Sequence, residues 1–117
     1  YLNYKMAETQ YSELKQNNNK GIFMITKDNC PLCDKLKQLF DTIEVEYKTY
    51  KYIETEEKDE TLPFKTYMKN DTGGKLFPFC YFNGEYVGGY KEIHRNLITG
   101  GLKEKLNEIG IDYEEDF

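Results

Sequence analysis

The chain has 117 residues, enough for one hydrophobic core but not for two, so we expect a single domain. Its formal net charge of −5 argues against the basic surface that binds nucleic acid, and no apolar run is long enough to cross a membrane. Three cysteines are too few for a secreted disulfide framework, and the first residues lack a signal-peptide pattern. We therefore expect a soluble, cytosolic monomer.

The first predicted elements are a helix, a buried strand and a second helix. Residues 7–16 have helix-forming composition, and the apolar run at residues 21–26 is typical of a central strand covered on both faces. From Pro31 to Ile43 apolar residues recur every three or four positions, which predicts a helix that starts at the proline. Cys30-Pro31-Leu32-Cys33 therefore lies on a strand-to-helix turn.

The middle of the chain predicts a second strand and a third helix. Residues 45–50 alternate like a strand, and the intervening helix makes this strand parallel to the first. An acidic loop follows at residues 54–60, and residues 62–70 have the composition of a helix that ends before Gly73-Gly74.

The last third predicts a hairpin and two short helices. Asn83-Gly84 joins strands at residues 77–82 and 86–88. Two apolar helical faces follow on either side of Gly100-Gly101: first Ile93, Leu97 and Ile98, then Leu102, Leu106 and Ile109. These elements predict an α/β fold with a mixed four-stranded sheet flanked by helices.

The cysteine pair has a direct chemical use at the start of a helix. Unpaired backbone N–H groups there favour the thiolate of Cys30, which is the reactive form. Cys33 lies one turn later and can attack a mixed disulfide on Cys30, so we predict a nucleophile at Cys30 and a resolving thiol at Cys33. Zinc needs about four ligands and only Cys80 and His94 remain, so we expect no metal.

Three motifs follow one another along the chain: Lys27 to Cys33, Phe77-Pro78 before a strand, and Asn83-Gly84 followed by Gly88-Gly89. Together they resemble the glutaredoxin family. The resemblance implies a thioredoxin fold, glutathione as co-substrate, and reduction of protein disulfides and glutathionylated proteins, with ribonucleotide reductase as one candidate partner. We expect an N-terminal lead and helix of the same domain at 1–20, the glutaredoxin domain at 21–110 and an acidic tail at 111–117.

The resemblance also implies a set of glutathione-binding residues. Pro78, after Phe77, matches a cis proline whose neighbouring main chain pairs with the glutathione backbone. Lys27 matches a basic residue beside the thiolate and the glycine carboxylate of glutathione, and Lys65 matches a residue that reaches the same carboxylate. The remaining implied contacts are Leu32, Gly89, Tyr90 and Lys91.

The chain departs from the family pattern at three places. Leu76-Phe77 replaces the usual Thr-Val before Pro78, so a threonine side-chain contact is lost. Lys91 stands where relatives often carry a residue that holds the γ-glutamyl end, and Glu92 offers a replacement carboxylate. Leu32 replaces a more usual tyrosine and makes the rim of the site less polar. Outside these motifs, Cys80 is predicted to pack in the core and His94 to be a surface or helix-packing residue without a catalytic role.

Other functions share the same predicted fold. One is a glutaredoxin-like protein that thioredoxin reductase reduces in place of glutathione. Another is a [2Fe-2S] scaffold held by Cys30 of two chains and two glutathiones, against which Pro31 argues because cluster-binding relatives carry a smaller residue there. A third is an interaction module whose cysteines are incidental.

Overall fold

The structure, a computed structural model, describes residues 2–53, 58–114 and 117. Its elements follow in the order α1 (Leu2–Asn17), β1 (Ile22–Lys27), α2 (Pro31–Thr42), β2 (Tyr47–Tyr52), α3 (Lys58–Thr72), β3 (Phe79–Phe82), β4 (Glu85–Gly88), α4 (Tyr90–Thr99) and α5 (Gly101–Ile109). The strands form one sheet in the order β2-β1-β3-β4. β1 is parallel to β2 and antiparallel to β3, so the predicted mixed sheet is confirmed.

The central strand β1 carries core residues on both of its faces. Phe23 and Ile25 pack into a cluster with residues of α1 and α3, whereas Ile22 and Met24 pack into a cluster with α2, α4 and α5. Successive side chains of a strand point to opposite faces, so an uninterrupted apolar run fits a sheet covered on both sides. The fold therefore has three layers, with the sheet in the middle. The cysteine turn follows directly after β1, the central strand of this sheet.

Val45 is buried but does not belong to β2, which begins at Tyr47 instead of the predicted residue 45. The residue ends α2: its N–H donates to the Phe40 carbonyl at 3.1 Å, and the N–H of Glu44 donates to the Asp41 carbonyl at 3.1 Å. With Glu44 in the left-handed region at φ 59°, this is a Schellman motif, and Val45 and Phe40 belong to the same buried apolar cluster. Its apolar character thus reflects a helix end and not a strand.

Two further predictions about helices are corrected. The third helix begins at Lys58, so residues 58–60 of the predicted acidic loop are helical and Pro63 lies inside the helix instead of near its start; residues 54–57 lie outside the described residues. Ile98, predicted on the apolar face of α4, is 72% exposed. It is five positions after buried Ile93, which places it about 140° around the helix.

The C-terminal residues that the structure describes pack against the domain. The N–H of Glu114 donates to the Ile43 carbonyl at 2.7 Å, and Tyr113 and Phe117 pack partly against the α2, α4 and α5 cluster. None of the described helices has the length and apolar character required to cross a membrane.

Candidate active site

The cysteine pair lies in the turn between β1 and α2. Asn29 adopts a left-handed conformation at φ 53°, which asparagine tolerates better than most residues, and the chain then enters the helix through Cys30. Cys30 is the N-cap of α2, with Pro31 following in the first turn. The structure holds the pair as a Cys30–Cys33 disulfide with the two Cα atoms 5.2 Å apart.

The first turn of α2 directs a donor at the first sulfur. The backbone N–H of Cys33 donates to Sγ of Cys30 at 3.1 Å. An N–H that would otherwise lack a partner at the helix start therefore stabilises negative charge at this sulfur after reduction. Cys30 is 8% exposed and Cys33 is 1% exposed, so Cys30 is the more accessible of the two residues.

Pro78 stands at the start of β3, the strand that pairs with β1. The Phe77–Pro78 peptide bond is cis, as the family resemblance implied. Gly89 lies against this bend, since a Cβ built at position 89 would come within 3.0 Å of the Pro78 carbonyl oxygen. Glycine is therefore needed here for close packing of two main-chain segments.

A groove of about 240 Å³ opens beside the cysteine turn, and we call it the Leu32 groove. Besides Leu32, three parts of the chain line the groove: the α3–β3 loop (residues 73–77), Tyr86 of β4, and residues 89–92 at the start of α4. Of the residues that the resemblance implied, it therefore brings together Leu32, Phe77, Gly89, Tyr90 and Lys91.

Groups of both charges line the Leu32 groove. Lys75 and Lys91 supply ammonium groups and Glu92 supplies a carboxylate. Burial raises the pKa of Tyr86, and the charge of Glu92 raises it further, so the hydroxyl stays protonated at neutral pH. The lining suits a ligand that carries both an ammonium and a carboxylate group.

Sequence reasoning missed part of this groove. The missed residues are Gly73, Gly74, Lys75, Leu76 and Tyr86, and Glu92 was considered only as a replacement carboxylate. In the sequence, Gly73-Gly74 indicates only the end of a helix, and Tyr86 indicates only a strand of the hairpin. The alternation of β4 could have placed Tyr86 on the face opposite Val87, but only the tertiary fold brings it against Gly74.

Lys27 does not line the Leu32 groove. It lines a second cavity, of about 430 Å³, with Asp28, Asn29 and Tyr52. Its ammonium nitrogen is 5.2 Å from the centroid of the Phe77 ring. Lys27 and Phe77, which belong to two different predicted motifs, are thus neighbours.

Lys65 lies on α3, next to Phe64, whose ring stacks on Tyr52 with centroids 5.6 Å apart. It does not line the Leu32 groove or the cavity beside Lys27. Its implied contact with a carboxylate stays a prediction.

Cys80 and His94 have the environments that the sequence predicted. Cys80 is buried on β3, and this burial raises the pKa of its thiol, which therefore stays neutral. His94 is exposed on α4, with its ring stacked on Tyr90 at 5.5 Å between centroids. Among the described residues, no three side chains of the metal-ligating types lie close enough to form a metal site.

A mixed sheet that leads into a CxxC turn, with the first sulfur at a helix start and a cis proline on the neighbouring strand, defines a thiol–disulfide oxidoreductase of the thioredoxin fold. Comparison with known proteins makes the class more specific. Residues 22–87 match the family model described as glutaredoxin. The chain belongs to the glutaredoxin family.

Individual relatives are distant but cover most of the chain. The mitochondrial glutaredoxin-2 of Rattus norvegicus is 25% identical over 99 residues, which are 84% of this chain and 61% of the rat protein. Glutaredoxin-1 of Saccharomyces cerevisiae is 27% identical over 89 residues, 75% of this chain and 81% of the yeast protein. The buckwheat glutaredoxin–glutathione complex superposes with a TM-score of 0.75 at 23% identity, covering 94% of this chain and 96% of the buckwheat chain.

The predicted family and thioredoxin fold are confirmed by these matches. Because glutaredoxins are glutathione-dependent oxidoreductases, the predicted enzyme class is confirmed with them. The cytosolic location stays a prediction, and some relatives are named mitochondrial.

Proposed function

We propose that this protein uses glutathione to reduce protein disulfides and glutathione mixed disulfides, with Cys30 as nucleophile and Cys33 as resolving thiol. The observation that carries the proposal is the Cys33 N–H at 3.1 Å from Sγ of Cys30, the sulfur at the start of α2. This donor favours the Cys30 thiolate both as attacking group and as leaving group.

Two thiol–disulfide exchanges reduce the protein disulfide, and two more with glutathione regenerate the dithiol. The Cys30 thiolate attacks one sulfur of a protein disulfide and displaces a protein thiolate, which leaves a mixed disulfide on Cys30. The Cys33 thiolate then attacks Sγ of Cys30, releases the second protein thiol and closes the Cys30–Cys33 disulfide. One glutathione thiolate reopens this disulfide to give glutathionylated Cys30, and a second removes the adduct as glutathione disulfide.

The charges around the Leu32 groove support a placement for glutathione. Its γ-glutamyl end carries an ammonium and a carboxylate, which the Glu92 carboxylate and the ammonium groups of Lys75 and Lys91 complement. The main chain beside Pro78 would pair with the peptide backbone. Lys27, on the far side of Phe77, would receive the glycine carboxylate, with Lys65 as the predicted second contact. The buckwheat relative of similar fold is a complex with glutathione.

An NADPH-coupled assay tests the function. The protein is mixed with glutathione, glutathione reductase, NADPH and the mixed disulfide of glutathione and 2-mercaptoethanol, and NADPH loss is followed. We expect turnover that needs glutathione and disappears in Cys30→Ser. Turnover that needs thioredoxin reductase in place of glutathione would support the alternative reductant, and visible absorption after anaerobic purification would support the [2Fe-2S] scaffold.

Ribonucleotide reductase and glutathionylated proteins stand as proposed protein substrates. Their surfaces would have to reach Cys30, which is 8% exposed.

A further inference from the structure

A hydrogen-bonded group of four side chains, which we call the Tyr11 unit, lies on the α1 and α3 side of the sheet. The hydroxyl of Tyr11 on α1 is 2.8 Å from Oδ2 of Asp71 in the last turn of α3 and 2.8 Å from the hydroxyl of Tyr81 on β3. Lys15 donates to the same Asp71 oxygen at 2.9 Å. One hydroxyl thus joins a helix, the end of a second helix and the sheet.

The chemistry of the groups fixes the direction of these hydrogen bonds. A carboxylate only accepts, so Tyr11 donates its single proton to Asp71, and Tyr81 donates to the oxygen of Tyr11. Tyr11 and Tyr81 are each 1% exposed. Buried hydroxyls cost free energy unless they are bonded, so each bond in this unit constrains the positions of both partners.

The main chain leads from this unit directly into the Leu32 groove. Asp71 is followed by Thr72, whose side-chain oxygen accepts from the N–H of Gly74 at 3.0 Å and donates to the Met68 carbonyl at 2.9 Å. The N–H of Gly73 donates to the Lys69 carbonyl at 2.8 Å. The position of Asp71 therefore sets where the α3–β3 loop enters the groove wall.

A second route runs through aromatic rings. The ring of Tyr81 packs edge-on against Tyr86 with centroids 5.8 Å apart. The hydroxyl of Tyr86 lies against Gly74, so close that a Cβ at position 74 would overlap it. The loop and Tyr86, which form adjoining parts of the groove wall, are thus both connected to Tyr11.

We propose that the Tyr11 hydroxyl is a positioning group that holds the α3–β3 loop and Tyr86 in the arrangement that binds glutathione. The proposal rests on the function proposed above and extends it to a residue that does not line the groove. Tyr11 would act by fixing the wall and not by touching the ligand. Its loss is expected to weaken glutathione binding while leaving the chemistry at Cys30 unchanged.

A control variant is needed to separate the proposed role of Tyr11 from a general loss of hydrogen bonding between α1 and α3. Tyr67 on α3 donates to Oε1 of Glu8 on α1 at 3.2 Å, so a second tyrosine hydroxyl links the same two helices. Tyr67 is one turn further from the α3–β3 loop than Asp71. Tyr11→Phe and Tyr67→Phe each remove one hydroxyl and keep the ring, but only the first removes a bond to Asp71.

Amide hydrogen exchange in the absence of glutathione tests the positioning role directly. In Tyr11→Phe the amides of Gly73 and Gly74 are expected to exchange about three- to tenfold faster, the ratio that one lost hydrogen bond gives. In Tyr67→Phe they are expected to keep the wild-type rate. Unchanged exchange in Tyr11→Phe, or the same acceleration in both variants, would overturn the proposal.

Steady-state kinetics supply the functional readout. We expect Tyr11→Phe to raise the KM for glutathione about three- to tenfold, with kcat and the alkylation rate of Cys30 unchanged. A fall in unfolding midpoint with an unaltered KM would reduce Tyr11 to a purely structural group. If the wild-type enzyme does not turn over with glutathione, the proposed function fails, and the exchange comparison still decides whether Tyr11 positions the loop.

Discussion

The main chain of Gly89 packs against the main chain of Pro78. A Cβ atom built at position 89 would lie only 3.0 Å from the Pro78 carbonyl oxygen. Gly89→Ala must therefore displace the bend that carries the cis bond. Because this bend borders the Leu32 groove, we expect a higher KM for glutathione and a lower free energy of unfolding, each measured against wild type.

The control for this change is Gly101→Ala in the first turn of α5. A Cβ there would lie 3.4 Å from Oδ1 of Asn96, at the end of a side chain that can shift. We expect this variant to bind glutathione normally and to be at least as stable as wild type, since alanine favours a helix over glycine. Equal effects of the two substitutions on KM would contradict the role of Gly89.

The three thiols of the reduced protein should differ widely in reactivity. Cys30 is expected to alkylate first at neutral pH because the Cys33 N–H stabilises its thiolate, whereas Cys33 and Cys80 are each no more than 1% exposed. Mass spectrometry of peptides after brief iodoacetamide treatment measures the order. Modification of Cys80 before unfolding, or equal rates at all three sites, would be incompatible with the structure.

Lys27 and Lys65 are predicted to contribute to glutathione affinity through charge. We expect Lys27→Ala to cost about 1 kcal/mol of binding free energy, and Lys65→Ala a similar amount if it reaches the ligand. Lys48→Ala, an exposed change on β2, is the control for net charge. Calorimetric titration of Cys30→Ser variants with glutathione gives the affinities, and an unchanged value removes that lysine from the site.

Local signals in the sequence were sufficient to predict the structure of the cysteine turn. The apolar run of β1, the helical spacing after Pro31 and the N-cap position of Cys30 all lie within about twenty residues, so local physics determines them. Pro78 and Gly89 required the family resemblance, because nothing near either residue indicates that they touch.

The Leu32 groove and the Tyr11 unit could not be predicted in this way. Gly74 and Tyr86 are separated by a strand and a turn, and Tyr11 lies 60 positions from Asp71, so only the tertiary fold makes them neighbours. Val45 shows the opposite error: an apolar residue next to an alternating segment was assigned to the strand although it closes a helix.

Asp71 should give stability a specific pH dependence. Partial burial alone would raise the pKa of Asp71, but hydrogen bonds from Lys15 and Tyr11 and the charge of Lys15 outweigh it and lower the pKa. Since the folded pKa lies below the unfolded one, the contribution of Asp71 is complete above the unfolded pKa and is lost as the pH falls through the folded value.

Asp71→Asn is therefore expected to lower the free energy of unfolding at neutral pH, and its difference from wild type should shrink as the pH falls below 3.8, the ordinary value for this carboxyl. Urea unfolding across that range measures it. Asp28→Asn, which alters an exposed pair with Lys51 at 3.3 Å, is expected to change little at any pH. A difference that persists undiminished in acid would show that Asp71 acts through its shape and not its charge.

Cys30 and Cys33 have distinct proposed roles, as nucleophile and resolving thiol, and the Cys33→Ser variant tests them most directly. After treatment with glutathione disulfide, mass spectrometry should find one glutathione on Cys30. The variant should keep a substantial fraction of the rate with glutathione mixed disulfides and lose most of its protein disulfide reduction, which needs the internal attack. An adduct absent from Cys30, or full protein disulfide reduction without Cys33, would contradict the assigned roles.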